Sequence, residues 1–220
     1  MRYISWAVLY EGPSDALYLD VLLPRVIREL IADEGSTLAE IPDAPAVQLG
    51  RYGREVDAVA KEACGARDAF EIVFIHADTG GRNLAQNLNS RSGAYCTAMH
   101  DRCGLPPERC VTINPRHETE AWLLADDAAV VAALGFRGTP ASIGLPSDAR
   151  EADRLPDPKR VLTQAIEMVA GRRRSQRMET IFPAIAQRQD VGRLRRSPSF
   201  KKFEDQLRAC LRATGCIDRA

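Results

Sequence analysis

Tyr3-Ile4-Ser5-Trp6-Ala7-Val8-Leu9-Tyr10-Glu11-Gly12-Pro13-Ser14-Asp15 opens the chain with an apolar run that stops abruptly at two carboxylates and a turn. From Ile4 to Tyr10 only Ser5 is polar and nothing alternates, the pattern of a strand covered on both faces rather than wetted on one. Gly12 allows a tight turn, and Pro13 suits a first helical position, where its missing N–H would have had no partner. A helix is therefore expected from Pro13, with Leu19, Leu22, Leu23, Val26, Ile27, Leu30 and Ile31 at helical spacing and Pro24 kinking or dividing it. Strand, turn and helix make half of a βαβ unit. Ligands of open parallel sheets bind outside the carboxyl ends of the strands, where Glu11 and Asp15 stand, one helical turn apart and able to converge on a hard cation. A plainer reading is also open: Asp15 suits any helix N-terminus, and Glu11 marks where a strand meets water.

The same pattern recurs at Phe70-Glu-Ile-Val-Phe-Ile-His76-Ala-Asp78-Thr-Gly-Gly81. A buried-strand run again ends in polar groups, His76 and Asp78, and a Gly-Gly turn would let a ligand approach the backbone. Between these runs, residues 32–45 read as a loop, 46–49 as a short strand and 54–66 as a helix. Residues 83–102 read as a helix weakened at Gly93. A fourth strand over 110–114 leads into Pro115-Arg-His117-Glu118-Thr-Glu120-Ala-Trp-Leu-Leu-Ala-Asp126, a helix start whose first-turn acids face the same rim or simply suit the dipole. Asp126 or Asp127 caps a further helix that Gly135 ends. Residues 137–158 read as irregular, 159–170 as an amphipathic helix and 198–214 as a closing helix. The organisation expected is an α/β domain over 1–135, with about four mainly parallel strands flanked by helices, and a helical, Arg-rich C-terminal extension over 136–220.

The 220 residues suffice for one well-buried core, and the formal net charge is zero. The charge is unevenly spread. Between Gly171 and Lys202 ten Lys/Arg oppose Glu179 and Asp190, a local +8 that leaves −8 for the remainder. This asymmetry separates an acidic, cation-holding body from a polyanion-facing tail, with Arg172, Arg173, Arg174, Arg193, Arg195 and Arg196 as the nucleic-acid contacts. The six cysteines form no CxxC pair, and reduced cytoplasmic thiols are expected. Cys96, His100, Cys103 and Cys110 match no common structural zinc spacing. No apolar run approaches the roughly 20 residues that span a bilayer.

Three strand ends bearing Glu11/Asp15, His76/Asp78 and Glu118/Glu120 resemble the Toprim catalytic domain of topoisomerases, primases and the overcoming-lysogenisation-defect (OLD) nucleases. More closely, Tyr10-Glu-Gly-Pro-Ser-Asp15, Glu120-Ala-Trp-Leu-Leu-Ala-Asp126 and Ser197-Pro-Ser-Phe-Lys-Lys202 resemble the segments of a small Toprim-like family, the domain of unknown function numbered 4276. The resemblance implies a Toprim-like (Rossmannoid) fold and a metal-dependent nuclease acting on DNA or RNA. It also implies a separately encoded ABC-type ATPase partner and a role in phage or mobile-element defence. Residue by residue, it implies that Glu11, Asp15, Asp78 and Glu120, or Glu118 in place of Glu120, hold Mg²⁺ or Mn²⁺. Lys201 or Lys202 would assist catalysis. His76 stands where the family's D-x-D motif begins; an imidazole suits Mn²⁺ or Zn²⁺ better than Mg²⁺, and a buried strand-end histidine with no ligand role is equally open. Two rival functions fit the same residues: a non-enzymatic nucleic-acid-binding or ATPase-partner subunit, and phosphotransfer on small nucleotides.

Overall fold

The computed structural model describes residues 1–35, 38–51, 53–81, 88–170 and 175–218. The two apolar runs form adjacent strands, β2 (Trp6–Leu9) and β5 (Ile72–His76), in a four-stranded parallel sheet of order β4-β2-β5-β6, where β4 is Val47–Gln48 and β6 is Cys110–Ile113. The register pairs Leu9 with Ile75 and His76 with Ile113, so the strands end together along one edge. Every residue of β2, β5 and β6 is buried, as expected of strands covered on both faces.

The period-2 geometry of β2 divides its side chains between two cores. Trp6 and Val8 join Phe74, Val111 and Ile113 against α1 (Pro13–Glu34) and the C-terminal helices, among them α8 (Ser175–Arg188) and α10 (Pro198–Ala213). Ala7 and Leu9 join Val73 and Ile75 against α2 (Val56–Gly65) and α3 (Gly93–Cys103). The C-terminal helices thus complete the first core. Gln206 on α10 accepts from the amide and hydroxyl of Thr112 on β6, and Trp122 packs edge-on against Phe200 with ring centroids 5.0 Å apart. The remaining α-helices among the described residues are α4 (Glu120–Leu123), α5 (Asp127–Leu134), α6 (Ala149–Arg154), α7 (Pro158–Ala170) and α9 (Val191–Leu194).

Several local expectations change. Pro24 does not divide α1, which runs unbroken for 22 residues with Pro24 inside it and its apolar stripe buried. The expected loop over 32–45 contains β3 (Ala39–Glu40), paired in parallel with β1 (Arg2–Tyr3) as a separate two-stranded sheet. Two residues per strand are too few for any periodicity to register. The supposed irregular stretch 137–158 includes α6, capped by Asp148, whose side chain accepts from the Arg150 and Glu151 amides. Gly93 begins α3 rather than weakening a longer helix, and a π-helical turn, Leu88–Ser92, leads into it; residues 83–87 of that expected helix lie outside the described residues. Asp126, not Asp127, caps α5, and Gly135 ends it at φ 63°.

The cysteines depart furthest from expectation. Cys64 on α2 and Cys103 on α3 form one disulfide, and Cys96 on α3 and Cys110 on β6 form another, while Cys210 and Cys216 are buried and free. Reduced thiols were expected because no sequence spacing announced a pair. The partners are 39 and 14 residues apart and meet only because α3 lies across α2 and the start of β6. The same pairing removes Cys96, Cys103 and Cys110 from any zinc site. Among the described residues no helix is long and apolar enough to cross a membrane.

Candidate functional site

The common edge of β2, β5 and β6 gathers the acids. Asp15, in the first turn of α1, is buried, and both its oxygens are engaged: Oδ2 accepts from the Gly12 amide at 2.7 Å and Oδ1 from the Thr119 hydroxyl at 2.8 Å. The first contact is the ordinary duty of a helix N-terminal acid. The second ties the carboxylate to a residue 104 positions away. Glu11, just past β2, accepts at Oε2 from the Asp78 amide (2.7 Å) and at Oε1 from Arg91 Nη2 (2.7 Å). Arg91 also donates to the Asp78 carbonyl, and the buried Ser92 hydroxyl beside it donates to Asn114 at the end of β6, which anchors the π-helical turn.

His76, only 2% exposed, lies at the centre. Its Nε2 is 3.1 Å from Asp78 Oδ1 and 3.0 Å from Thr119 Oγ1; its Nδ1 is 3.4 Å from Asp15 Oδ2 and accepts from the Glu11 amide at 3.3 Å. The neutral ring therefore carries its proton on Nε2, facing Asp78. Burial pulls the His76 pKa down, but the Asp78 hydrogen bond and the charges of Asp15, Asp78 and Glu11 outweigh it, and the net shift is upward. An imidazole held between two carboxylates neutralises part of an acid cluster that would otherwise repel itself.

Glu120, in the first turn of α4, is buried beside this group with Lys159 Nζ 4.0 Å away. Burial pushes its pKa up to about 7, a rise that the nearby Glu118 and Asp78 charges add to and Lys159 opposes. Glu118 faces another way, accepting from the Lys159 amide at the start of α7. Glu11, Asp15, His76 and Asp78 are thus brought together, Glu120 flanks them, and Glu118 turns to the adjoining helix.

The other expected site residues fare differently. Lys201 pairs with Asp205 one turn along α10, on an exposed face, and Lys202 is also exposed. Arg193 binds Asp126 and Asp127, and Arg195 binds Glu29, Asp33 and Glu204, so both are committed within the fold. Arg196 is exposed. Arg172, Arg173 and Arg174 lie outside the described residues. The Gly80-Gly81 turn does not leave its backbone open to a ligand: the amides of Thr79, Gly80 and Gly81 donate to the carbonyls of Pro115, His117 and Arg116. At Gly81 (φ 75°) a Cβ would stand 2.6 Å from the His117 ring, so the close neighbour requiring glycine is a side chain of the protein itself.

Thr119 and Arg91 escaped the sequence reading. Thr119, 1% exposed, lies between the two noticed glutamates, and its hydroxyl contacts Asp15 and His76 and reaches to 3.5 Å of Asp78. Nothing in Asn-Ser-Arg91-Ser-Gly marks the arginine.

Asp15 and Asp78 offer hard oxygen donors on either side of the Thr119 hydroxyl, with Glu11 adjacent, a donor chemistry that fits a small divalent cation. In the present arrangement Arg91 and His76 neutralise these acids, and among the described residues no three Asp, Glu, His or Cys side chains are grouped to hold a metal ion. No protein-family model, curated protein or solved structure matches the chain.

Proposed function

We propose that the chain is a divalent-metal-dependent nuclease that hydrolyses phosphodiester bonds of nucleic acid. The observation that carries the reading is the convergence of Glu11, Asp15 and Asp78, from the segments that follow two neighbouring strands, around Thr119 from a third segment on one edge of a parallel sheet. Mg²⁺ or Mn²⁺ held by these acids would offset charge on the non-bridging phosphate oxygens and supply hydroxide near neutral pH. Thr119 orients the Asp15 carboxylate, and the Asp78 amide orients that of Glu11. Glu120, with a pKa near 7, can take or give a proton at neutral pH. A separately encoded ABC-type ATPase partner and a role in defence against phage or mobile elements belong to the same proposal and rest on the resemblance.

One observation favours a second reading. The buried His76 bridges Asp15 and Asp78 as an internal counter-charge would, which suits a subunit that binds nucleic acid without cutting it. Plasmid nicking separates the two. Under the first reading the wild-type protein nicks supercoiled plasmid with Mn²⁺, and Glu11→Gln and Asp78→Asn stop it while remaining folded. Absence of nicking by the wild type at every Mn²⁺ and Mg²⁺ concentration would leave the binding subunit.

A further inference from the structure

Beside the acids a cavity of about 140 Å³ opens at the carboxyl ends of β2 and β5, lined by Glu11, His76, Arg54, Ser90, Arg91 and Tyr95. At roughly 30 Å³ per water, it holds four or five, enough for one phosphoryl group. Two of its walls are guanidinium-bearing. Arg54 is exposed and makes no ion pair among the described residues. Its backbone is fixed where its carbonyl accepts from the Tyr95 hydroxyl at 2.6 Å. Arg91 spends donors on Glu11 and on the Asp78 carbonyl, but a guanidinium has five N–H groups in a planar fork that matches phosphate oxygens. The single carboxylate among them, Glu11, is the partner that Arg91 would leave.

We infer that this cavity is a subsite for one phosphate of the substrate strand, neighbouring the phosphate under attack, with Arg54 and Arg91 as its ligands. The inference deepens the nuclease reading and rests on it for the identity of the strand; the phosphate site itself does not. Arg91 exchanges partners: with no substrate it neutralises Glu11, and with a phosphate in the cavity it turns to the anion. Whatever relieves Glu11 of its need for Arg91 therefore tightens phosphate binding, and Glu11 opposes the anion by its own charge as well.

The test uses the full chain without metal, titrated calorimetrically at low salt with orthophosphate. R54Q/R91Q is expected to weaken binding at least tenfold. Glu11→Gln is expected to tighten it severalfold, a change that misfolding cannot mimic. Binding by R54Q/R91Q equal to the wild type, or by Glu11→Gln no tighter than the wild type, would overturn the assignment. For the source of the phosphate, a thymidine dinucleotide with its one internucleotide phosphate should bind more tightly than the same dinucleotide with an uncharged methylphosphonate linkage, by the factor that R54Q/R91Q removes. Equal binding of the two dinucleotides would overturn assignment to a strand. Because no cleavage is measured, arginine-dependent phosphate binding by a protein that never nicks plasmid would sink the nuclease reading alone, and nicking without such binding would sink this one alone.

Discussion

Replacing Asp78 with Asn tests whether the proton on His76 is held by charge. Asn keeps the shape of Asp and can still accept from Nε2–H, so the substitution removes the carboxylate's charge and little else. A hydrogen bond to a charged group contributes about 1.5–3 kcal/mol against about 0.5–1.5 for a neutral one, so the difference to be lost is roughly 1–1.5 kcal/mol. The sign follows from the pKa. That of His76 lies above its ordinary 6.5, so the stability it contributes is complete below pH 6.5 and is lost as pH rises through the folded value. Asp78→Asn should therefore cost about 1–1.5 kcal/mol at pH 5. At a pH raised past the folded value, where the imidazole has lost its proton, it should cost nothing or stabilise slightly, because one member of a repelling trio of carboxylates has gone. Urea unfolding followed by the fluorescence of the buried Trp6 and Trp122 measures both values without adding screening salt. A loss of equal size at the two pH values, or a larger loss at the higher one, would refute the charge-holding role and leave His76 a packed histidine with neutral hydrogen bonds.

The rise of Glu120 from the ordinary 4.5 to about 7 opposes folding once the carboxyl ionises; at about 1.4 kcal/mol per tenfold, Glu120→Gln should gain up to about 3 kcal/mol at pH 8 and nothing at pH 4, and urea unfolding at the two pH values checks it. Opening the disulfides, whose closed loops span 39 and 14 residues, should cost about 3–4 kcal/mol each, so a melt unchanged by dithiothreitol would mean that the four cysteines are thiols in solution. Changing Arg172, Arg173 and Arg174 together to Gln should weaken binding of all nucleic-acid sequences alike and flatten the log affinity against log salt plot by roughly two to three. Arg193→Gln should instead lower stability, by about 1 kcal/mol, with the salt slope unmoved, since its partners are Asp126 and Asp127; a flattened slope would return Arg193 to the nucleic-acid surface.

The two decisive strands were legible because a parallel strand buried on both faces is apolar throughout and needs no partner to be recognised. Trp6–Leu9 and Ile72–His76 announce themselves within a few residues, and so do the acids that follow, since polar groups after such a run must lie where the sheet ends. Helix starts were equally local: Pro13 fits the first helical position by its own fixed backbone angle, and Asp126 accepts from the Ala129 amide three residues on. The two-residue strands β1, β3 and β4 offer no period, and only β4 was anticipated, within the short candidate 46–49.

Partnership was the part that sequence alone could not decide. Counting charges along residues 171–202 treats every arginine alike, whereas folding brings Glu29, Asp33 and Glu204 to Arg195 and leaves Arg196 exposed. Likewise Glu11 meets Arg91 eighty residues away, Asp15 meets Thr119 across 104, and Cys64 meets Cys103 across 39. Periodicity and capping act over one or two turns of chain. Hydrogen bonds, ion pairs and disulfides act over a few ångströms of space, so the sequence by itself determined the sheet and the edge at which carboxylates gather. Only the tertiary structure decided that an imidazole, a threonine hydroxyl and an arginine would stand among them, because the neighbours of those groups come from segments that no local pattern connects.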